Sequence, residues 1–397
     1  MNILTLNSGS SSLSFKVYQH DGEDSGTILL SGKARNVATR TRAASFIEWT
    51  AGTEVTIKYC TLTNHRLAAQ EVLILLEELN IKVDAIGHRF VHGGDLFHAC
   101  TRVDDSSLPR LRDCLPLAPI HNPNAFSIIE ACLAALPSAD QFVVFDTAFH
   151  ARMPKYARTY ALPEDLMTRF GLYKYGFHGL SYQYVSVMAE QYLKKPLDEV
   201  KLIMCHLGTG GSSVCAFAEG RSIATSMGYS PLAGLVMSTR CGDIDAEVAL
   251  ELVRRGMSAD EVSQTLNHKS GLIGLSGYSS NLEEVIAAAE EGNERCILAY
   301  DVYVARLQHY LGAYTWQFGG ADAIVFTDDI GTHSWKLRAR ALCSAAALGV
   351  LLDKEMNRKA PADQTTLISL PQSATAVLVI PTDEEKIIAE EVIASLR

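Results

Sequence analysis

Six short stretches of the sequence set reactive side chains beside glycine or proline or at the end of an apolar strand. The first is Asn7-Ser8-Gly9-Ser10-Ser11-Ser12-Leu13-Ser14-Phe15-Lys16. Glycine lets the backbone approach a phosphate closely, and successive N–H groups with hydroxyls such as Ser10 and Ser12 supply neutral donors. An ordinary polar turn uses the same residues. The second is Gly87-His88-Arg89-Phe90-Val91-His92-Gly93-Gly94. An Arg closing an apolar strand is costly unless it leaves the core for an anion, and its planar fork matches phosphate or carboxylate. His88 and His92 have the i,i+4 spacing of helical metal ligands, but the segment reads as strand and turn, so both take structural roles.

The third stretch, Leu117-Ala118-Pro119-Ile120-His121-Asn122-Pro123, fixes His121 between prolines. A rigidly presented His can donate to a transferring phosphoryl group, or simply satisfy a turn. In the fourth, Phe145-Asp146-Thr147-Ala148-Phe149-His150, an apolar strand ends in a carboxylate, and strand ends face the ligand crevice in open α/β sheets. The fifth holds His178 between Phe177 and Gly179. The sixth runs from Ser226 through Pro231 and Gly234 to Ser238-Thr239-Arg240-Cys241-Gly242-Asp243. Arg240 there suits a grip on a charged substrate, and Asp243 reads as the N-cap of the following helix. Arginines, histidines, an isolated carboxylate and Gly/Ser loops are the inventory of phosphoryl transfer, which depends on positioning and charge neutralisation. A Ser/His/Asp hydrolase is the rival, but no GxSxG elbow occurs.

Elements that end at these residues are legible. Strands are expected at 2–6, 85–90, 141–145, 200–205, 213–218, 323–326 and 375–380, where β-branched and aromatic residues gather. Helical periodicity covers 68–79, 125–135, 182–192, 245–255, 282–290, 300–318 and 332–349. Their alternation predicts an α/β fold. The segment Leu202-Ile203-Met204-Cys205-His206-Leu207-Gly208-Thr209-Gly210-Gly211 echoes the first loop: an apolar strand, a turn of Gly and hydroxyl residues, a second strand. Two such hairpins half a chain apart suggest two similar domains and a ligand site between them, with His206, Gly208, Thr209 and Gly210 as a second phosphate loop. Neither GxxxxGK[ST] nor GxGxxG after a strand occurs, which disfavours P-loop and Rossmann readings.

The composition excludes several classes. A net charge of −10 argues against nucleic acid or an anionic membrane as partner. Nine scattered cysteines without CxxC spacing read as reduced thiols of a cytoplasmic protein. The N-terminus reads as a strand, not a signal peptide, and no apolar run reaches the ~18 residues of a membrane span.

These residues resemble the acetate kinase family of the acetate and sugar kinase/Hsp70/actin (ASKHA) superfamily. NSGSSSLSFK, GHRFVHGG, LAPIHNP, FDTAFH, YGFHG, HLGTGGSS, TSMGYSPLAGLVMSTRCGDID, SGLIGLSG and IPTDEE occur in family order along essentially the whole chain. The resemblance implies an α/β fold of two ASKHA (RNase H-like/actin-like) domains with an active-site cleft between them. The expected division is 1–148 completed by a C-terminal helix 384–397, against 149–383. By the same resemblance, Arg89 and Arg240 grip acetyl phosphate and the transferring phosphoryl group. His178 stabilises its oxygens, with His121 in support. Asp146 positions Arg240 or the metal, and Asn7 and Glu384 help place Mg²⁺ (or Mn²⁺). Val91, Ile120, Phe177 and Pro231 line a small apolar pocket for the acetate methyl. Direct in-line transfer and a homodimer are further implications.

Departures from the family's usual pattern gather on the donor side. Thr209 stands where ATP-using members usually have Asn. Asn281-Leu282-Glu283 replaces a usual Asp-Met-Arg or Asp-Phe-Arg, a charge reversal at Glu283. Thr327-Asp328-Asp329-Ile330-Gly331 replaces a usual Gly-Gly-Ile-Gly, adding bulk and negative charge at Asp328 and Asp329 where adenosine would lie. Ser14 stands in place of a usual Lys. The pattern resembles a diphosphate-dependent branch, so phosphate/diphosphate is the expected second pair, with ATP/ADP the alternative. A non-catalytic sensor of acetyl phosphate or a carboxylate is the reading from a different class.

Overall fold

The computed structural model describes residues 1–22, 26–39 and 44–397. The chain divides into two compact units, Met1–Ala151 with Asp383–Arg397, and Arg152–Thr382.

The first unit is built on one sheet: β1 (Asn2–Ser8), β2 (Ser12–Gln19), β3 (Thr27–Arg35), β4 (Phe46–Ala51), β5 (Glu54–Tyr59), β6 (Ala85–Phe90), β7 (Thr101–Arg102) and β8 (Asp140–Phe145). Its spatial order is β5-β4-β3-β2-β1-β6-β8-β7. The meander from β1 to β5 is antiparallel, whereas β6 runs parallel to both β1 and β8. β1 is buried almost throughout, as a central strand covered on both faces is, while β2 alternates. Helices His65–Glu78 and Asn122–Ala135 pack on one face through Ala68, Val72, Leu75, Ile128 and Ala131. The helix Glu384–Leu396 covers the other with Ala389, Val392 and Ile393 against Ile3, Ala85 and Phe142. Gly87 makes that docking possible: a Cβ there would sit 2.4 Å from Ile388 Cγ2.

The second unit repeats the plan with β9 (Leu202–Gly208), β10 (Gly211–Ala218), β11 (Arg221–Thr225), β12 (Ala323–Thr327), β13 (Thr366–Leu367) and β14 (Ala376–Val379), in the order β11-β10-β9-β12-β14-β13. β9, β10 and β11 form an antiparallel meander, and β12 is parallel to both β9 and β14. The 25-residue helix Glu294–Phe318 carries much of the core, placing Tyr303, Leu307 and Leu311 against Ile203, Val214 and Phe326. No helix among the described residues is long and apolar enough to cross a membrane.

Two sequence expectations need correction. The helix expected over 332–349 is broken into Asp328–His333, Trp335–Ala341 and a 3-10 turn Ala345–Leu348. The buried Arg338 side chain donates to the carbonyls of Gly331 and Thr332 at 2.8 and 2.7 Å, satisfying the end of the first piece in place of a continuing helix. The helix Ala246–Arg254 is capped by Asp245, not Asp243. Asp243 is taken by the Gly234 N–H at 2.7 Å and the Tyr310 hydroxyl at 2.5 Å.

Candidate active site

In the first unit, register brings strand ends together. Leu6 pairs with His88, and Arg89 pairs with Val144, so the ends of β1, β6 and β8 lie side by side. Asn7, Arg89 and Asp146 therefore converge, although they are far apart in sequence. Arg89 makes a two-pronged contact with Asp146, Nε to Oδ1 at 2.9 Å and Nη2 to Oδ2 at 2.7 Å. Its Nη1 donates to Asn7 Oδ1 at 3.0 Å and lies 3.4 Å from Glu384 Oε2. The Asp146 side chain is 1% exposed. Burial works against the Arg89 charge, but the Asp146 and Glu384 carboxylates outweigh it and raise its pKa. Both Asp146 oxygens accept from Arg89.

The Asn7 amide donates to Glu384 Oε2 at 2.9 Å and to Glu385 Oε1 at 3.0 Å. Glu385 joins this cluster without having been singled out from the sequence, although the acidic run Asp383-Glu384-Glu385 carried the signal. Asp383 is bound by Lys16 at 2.6 Å, which anchors the start of the C-terminal helix to β2. In the first loop the Gly9 N–H donates to Ser12 O at 2.9 Å, leaving Ser10 exposed and Ser12 half-buried. Val91 is buried and Ile120 is 45% exposed. His121 sits at the N-terminus of helix Asn122–Ala135 without capping it. Asn122 ties the loop, donating to His92 O and Cys114 O at 3.0 and 2.7 Å. His88 is buried and donates to Gln141 at 2.9 Å, and His92 is buried, accepting from the Gly94 N–H at 3.0 Å.

The second unit assembles imidazoles around the β9–β10 turn. His178 has φ 60°, a left-handed conformation that costs a non-glycine residue energy and that clusters at functional sites. Its Nδ1 lies 2.8 Å from Ser213 Oγ, which also meets the Tyr182 hydroxyl at 2.5 Å. The His178 ring stacks on His206 with centroids 4.0 Å apart. His206 in turn bonds Ser181 Oγ at 2.9 Å through Nδ1. Ser181, Tyr182 and Ser213 were not foreseen; their chemistry as neutral hydroxyls gave no signal.

Arg240 joins His178 over Gly211. A Cβ at Gly211 would lie 3.2 Å from Arg240 Nη1 and 3.4 Å from His178 Nε2. Arg240 donates to neutral atoms, Pro231 O at 3.3 Å and Met237 Sδ at 3.7 Å. Burial lowers its pKa, and among the described residues no carboxylate offsets that cost. A half-buried guanidinium with neutral acceptors has the chemistry to receive an anion. Phe177 is buried and Pro231 half-buried in this unit.

The changed donor segment lies on the same strand ends. Thr327 pairs with His206 across β12 and β9, so Asp328 follows directly beside it. Asp328 has φ 63°, and its Oδ2 lies 3.1 Å from His206 Nε2. A Cβ on Gly208 would be 2.0 Å from that oxygen, so glycine leaves room for the carboxylate in this position. Asp329 accepts from the Thr209 N–H at 2.9 Å and hydroxyl at 2.6 Å. The two aspartates thus fasten the second Gly/Thr loop, while Gly210 faces open space. Asn281 caps the helix Leu282–Glu290 through the Glu283 and Glu284 N–H groups, and Gly331 O accepts from Arg338.

A three-strand antiparallel meander continued by two parallel strands, present once in each unit, defines the ASKHA class of kinases, built from two α/β domains. Within that class the profile of the acetokinase family matches residues 2–390, and the chain belongs to this family. It is a phosphotransferase with a carboxyl group as acceptor. Acetate kinase from Caldicellulosiruptor bescii is 42% identical over 399 residues, covering 98% of each chain. Acetate kinase from Bacillus subtilis is 40% identical, again over 98% of both. The crystal structure of acetate kinase from Entamoeba histolytica superposes with a TM-score of 0.89 at 38% identity and 99% coverage of both chains. A propionate kinase from Francisella tularensis gives 0.89 at 35% identity and 98% coverage.

Proposed function

We propose that the enzyme transfers a phosphoryl group between acetyl phosphate and inorganic phosphate, giving acetate and diphosphate. The observation that carries the choice of partner is Asp328, whose carboxylate stands against Gly208 and His206 at the mouth of the second loop. Carboxylates beside a nucleotide's polyphosphate and ribose oppose its binding. Inorganic phosphate needs only the loop donors and cations. The alternative pair is ATP/ADP, favoured by the relatives named acetate kinase at about 40% identity.

Each residue then has a physical task. Arg240 supplies an uncompensated cation to the transferring phosphoryl group, and His178 a second donor held by Ser213. Arg89 binds acetyl phosphate, its orientation fixed by Asp146. His121 is a supporting donor. Val91, Ile120, Phe177 and Pro231 limit the acyl chain, where one methylene is worth only ~1–3 kcal/mol. The oxygen donors Glu384, Glu385 and Asn7 suit Mg²⁺ (or Mn²⁺), because the two carboxylates converge on one amide. When bound, the ion neutralises phosphoryl oxygens. The attacking oxygen meets phosphorus directly in line, without a phosphoenzyme. A cytoplasmic homodimer with reduced thiols completes the reading; all nine cysteines are unpaired.

One assay tests it: acetyl phosphate with Mg²⁺, comparing acetate release with phosphate and with ADP as acceptor. Phosphate-dependent release with diphosphate formed in equal amount is expected. Activity with ADP alone overturns the diphosphate assignment. Binding of acetyl phosphate without any turnover would identify a sensor.

A further inference from the structure

His65 is a buried titratable residue that none of the roles above employs. It opens the helix His65–Glu78, whose N-cap Asn64 accepts from the Leu67 N–H, so its backbone is rigidly placed. The ring is 2% exposed, and its Nε2 lies 2.9 Å from the carbonyl oxygen of Gly9. A carbonyl can only accept, so Nε2 carries the proton. Burial pushes the His65 pKa below its usual value, so the ring is neutral near pH 7.

Peptide geometry gives this contact a consequence. The Gly9–Ser10 peptide is trans, like every peptide bond in the described chain. In a trans peptide the C=O of one residue and the N–H of the next point in opposite directions. With the Gly9 carbonyl drawn inward to His65, the Ser10 N–H is directed the other way, out of the loop at an exposed residue. Glycine permits that plane to rotate at little cost, so the loop alone does not fix it.

We propose that His65 is a positioning residue that locks the Gly9–Ser10 peptide and so aims the Ser10 N–H at a phosphoryl oxygen. The inference rests on the first loop's phosphate-binding role given above. Loss of the lock weakens binding of the phosphoryl substrate and leaves acetate binding alone.

The test uses the full-length enzyme and two substitutions. His65→Leu fills the space without a donor, and His65→Gln retains an N–H donor. For His65→Leu, the KM for acetyl phosphate is expected to rise about tenfold, the worth of one hydrogen bond to an anion. The KM for acetate in the reverse direction stays within about twofold, and His65→Gln recovers most of the loss. A purely structural role would instead lower the thermal midpoint and move both KM values together, without rescue by Gln. Equal shifts for both substrates, or no shift, overturn the proposal. If His65→Leu does not fold, Ser10→Pro removes the aimed N–H on the surface; an unchanged KM for acetyl phosphate in that variant overturns it equally. Absence of turnover in the unaltered enzyme would count against the proposed function and not against His65.

Discussion

Asp328 Oδ2 lies 3.1 Å from His206 Nε2, held there by a residue in the left-handed region at φ 63°. Glycine would adopt that backbone freely, whereas an aspartate pays about 1 kcal/mol. The carboxylate gains an imidazole partner in return, next to the pairing of Thr327 with His206. The same carboxylate occupies the space a side chain on Gly208 would need.

Replacing Asp328 by glycine relieves this strain and removes the charge. In Asp328→Gly the ADP-linked rate relative to the phosphate-linked rate is expected to rise about tenfold, since one unfavourable contact near a polyphosphate is removed. Initial rates of acetate release with each acceptor check it. An unaltered ratio would show that Asp328 does not set donor choice.

The two arginines should respond differently to truncation. Arg89→Ala leaves Asp146 buried without its cation, which costs about 3–5 kcal/mol of stability as well as turnover. Arg240→Ala breaks no ion pair, so its thermal midpoint should stay within about 2 °C of the unaltered enzyme while turnover falls at least about 10³-fold. Calorimetry beside activity measurements separates the two. Equal destabilisation would contradict the assignment of Arg240 as an uncompensated cation.

Inorganic phosphate should stabilise the enzyme through Arg240. A millimolar addition raises the thermal midpoint by a few degrees if the anion binds the native state alone. The Arg240→Ala variant should show no such rise. A shift of the same size in both would place the anion elsewhere.

Acid stability should carry the signature of His88. Burial lowers its pKa from 6.5 to about 4, and it stays neutral while donating to Gln141. The unfolded chain takes up the proton first. The contribution is therefore intact above pH 6.5 and is lost as pH falls from 6.5 toward 4, by about 3 kcal/mol in all. Urea unfolding across that range should show the decline, and a folded His88→Leu variant should show a shallower one.

Chelation tests the oxygen cluster. EDTA should abolish turnover, with recovery on adding Mg²⁺ or Mn²⁺, and Glu384→Gln should raise the Mg²⁺ concentration required about tenfold or more. Glu385→Gln should do so to a lesser degree. Turnover that is unchanged after chelation would remove the ion from the reaction.

Much of the architecture was legible from local chemistry. Apolar strands such as Ala85–Phe90 end in Arg or Asp, and strand ends are where sheets present functional side chains. Glycine-hydroxyl turns after β1 and β9 marked both loops, because few other residues permit such close backbone approach. The helix over 332–349 was misread because its apolar periodicity is genuine, while the break at Ser334 is stabilised by Arg338 from further along the chain. Asp243 was misread as a cap for a similar reason: Tyr310, 67 residues away, claims it.

By itself the sequence determined which residue types stand at the ends of which strands, and hence the class of chemistry and the departure on the donor side. Tertiary structure alone decided the partners. Parallel register put Arg89 against Asp146, and helix packing on the two faces of the sheet brought Glu384 and Glu385 onto Asn7 and His65 to Gly9. The physical reason is range: propensity and turn chemistry act over a few residues, whereas these contacts join positions 56 to 378 residues apart. The donor question has the same division. Asp328 could be read as bulk and charge from its identity, but only the fold aimed its carboxylate at His206 and Gly208.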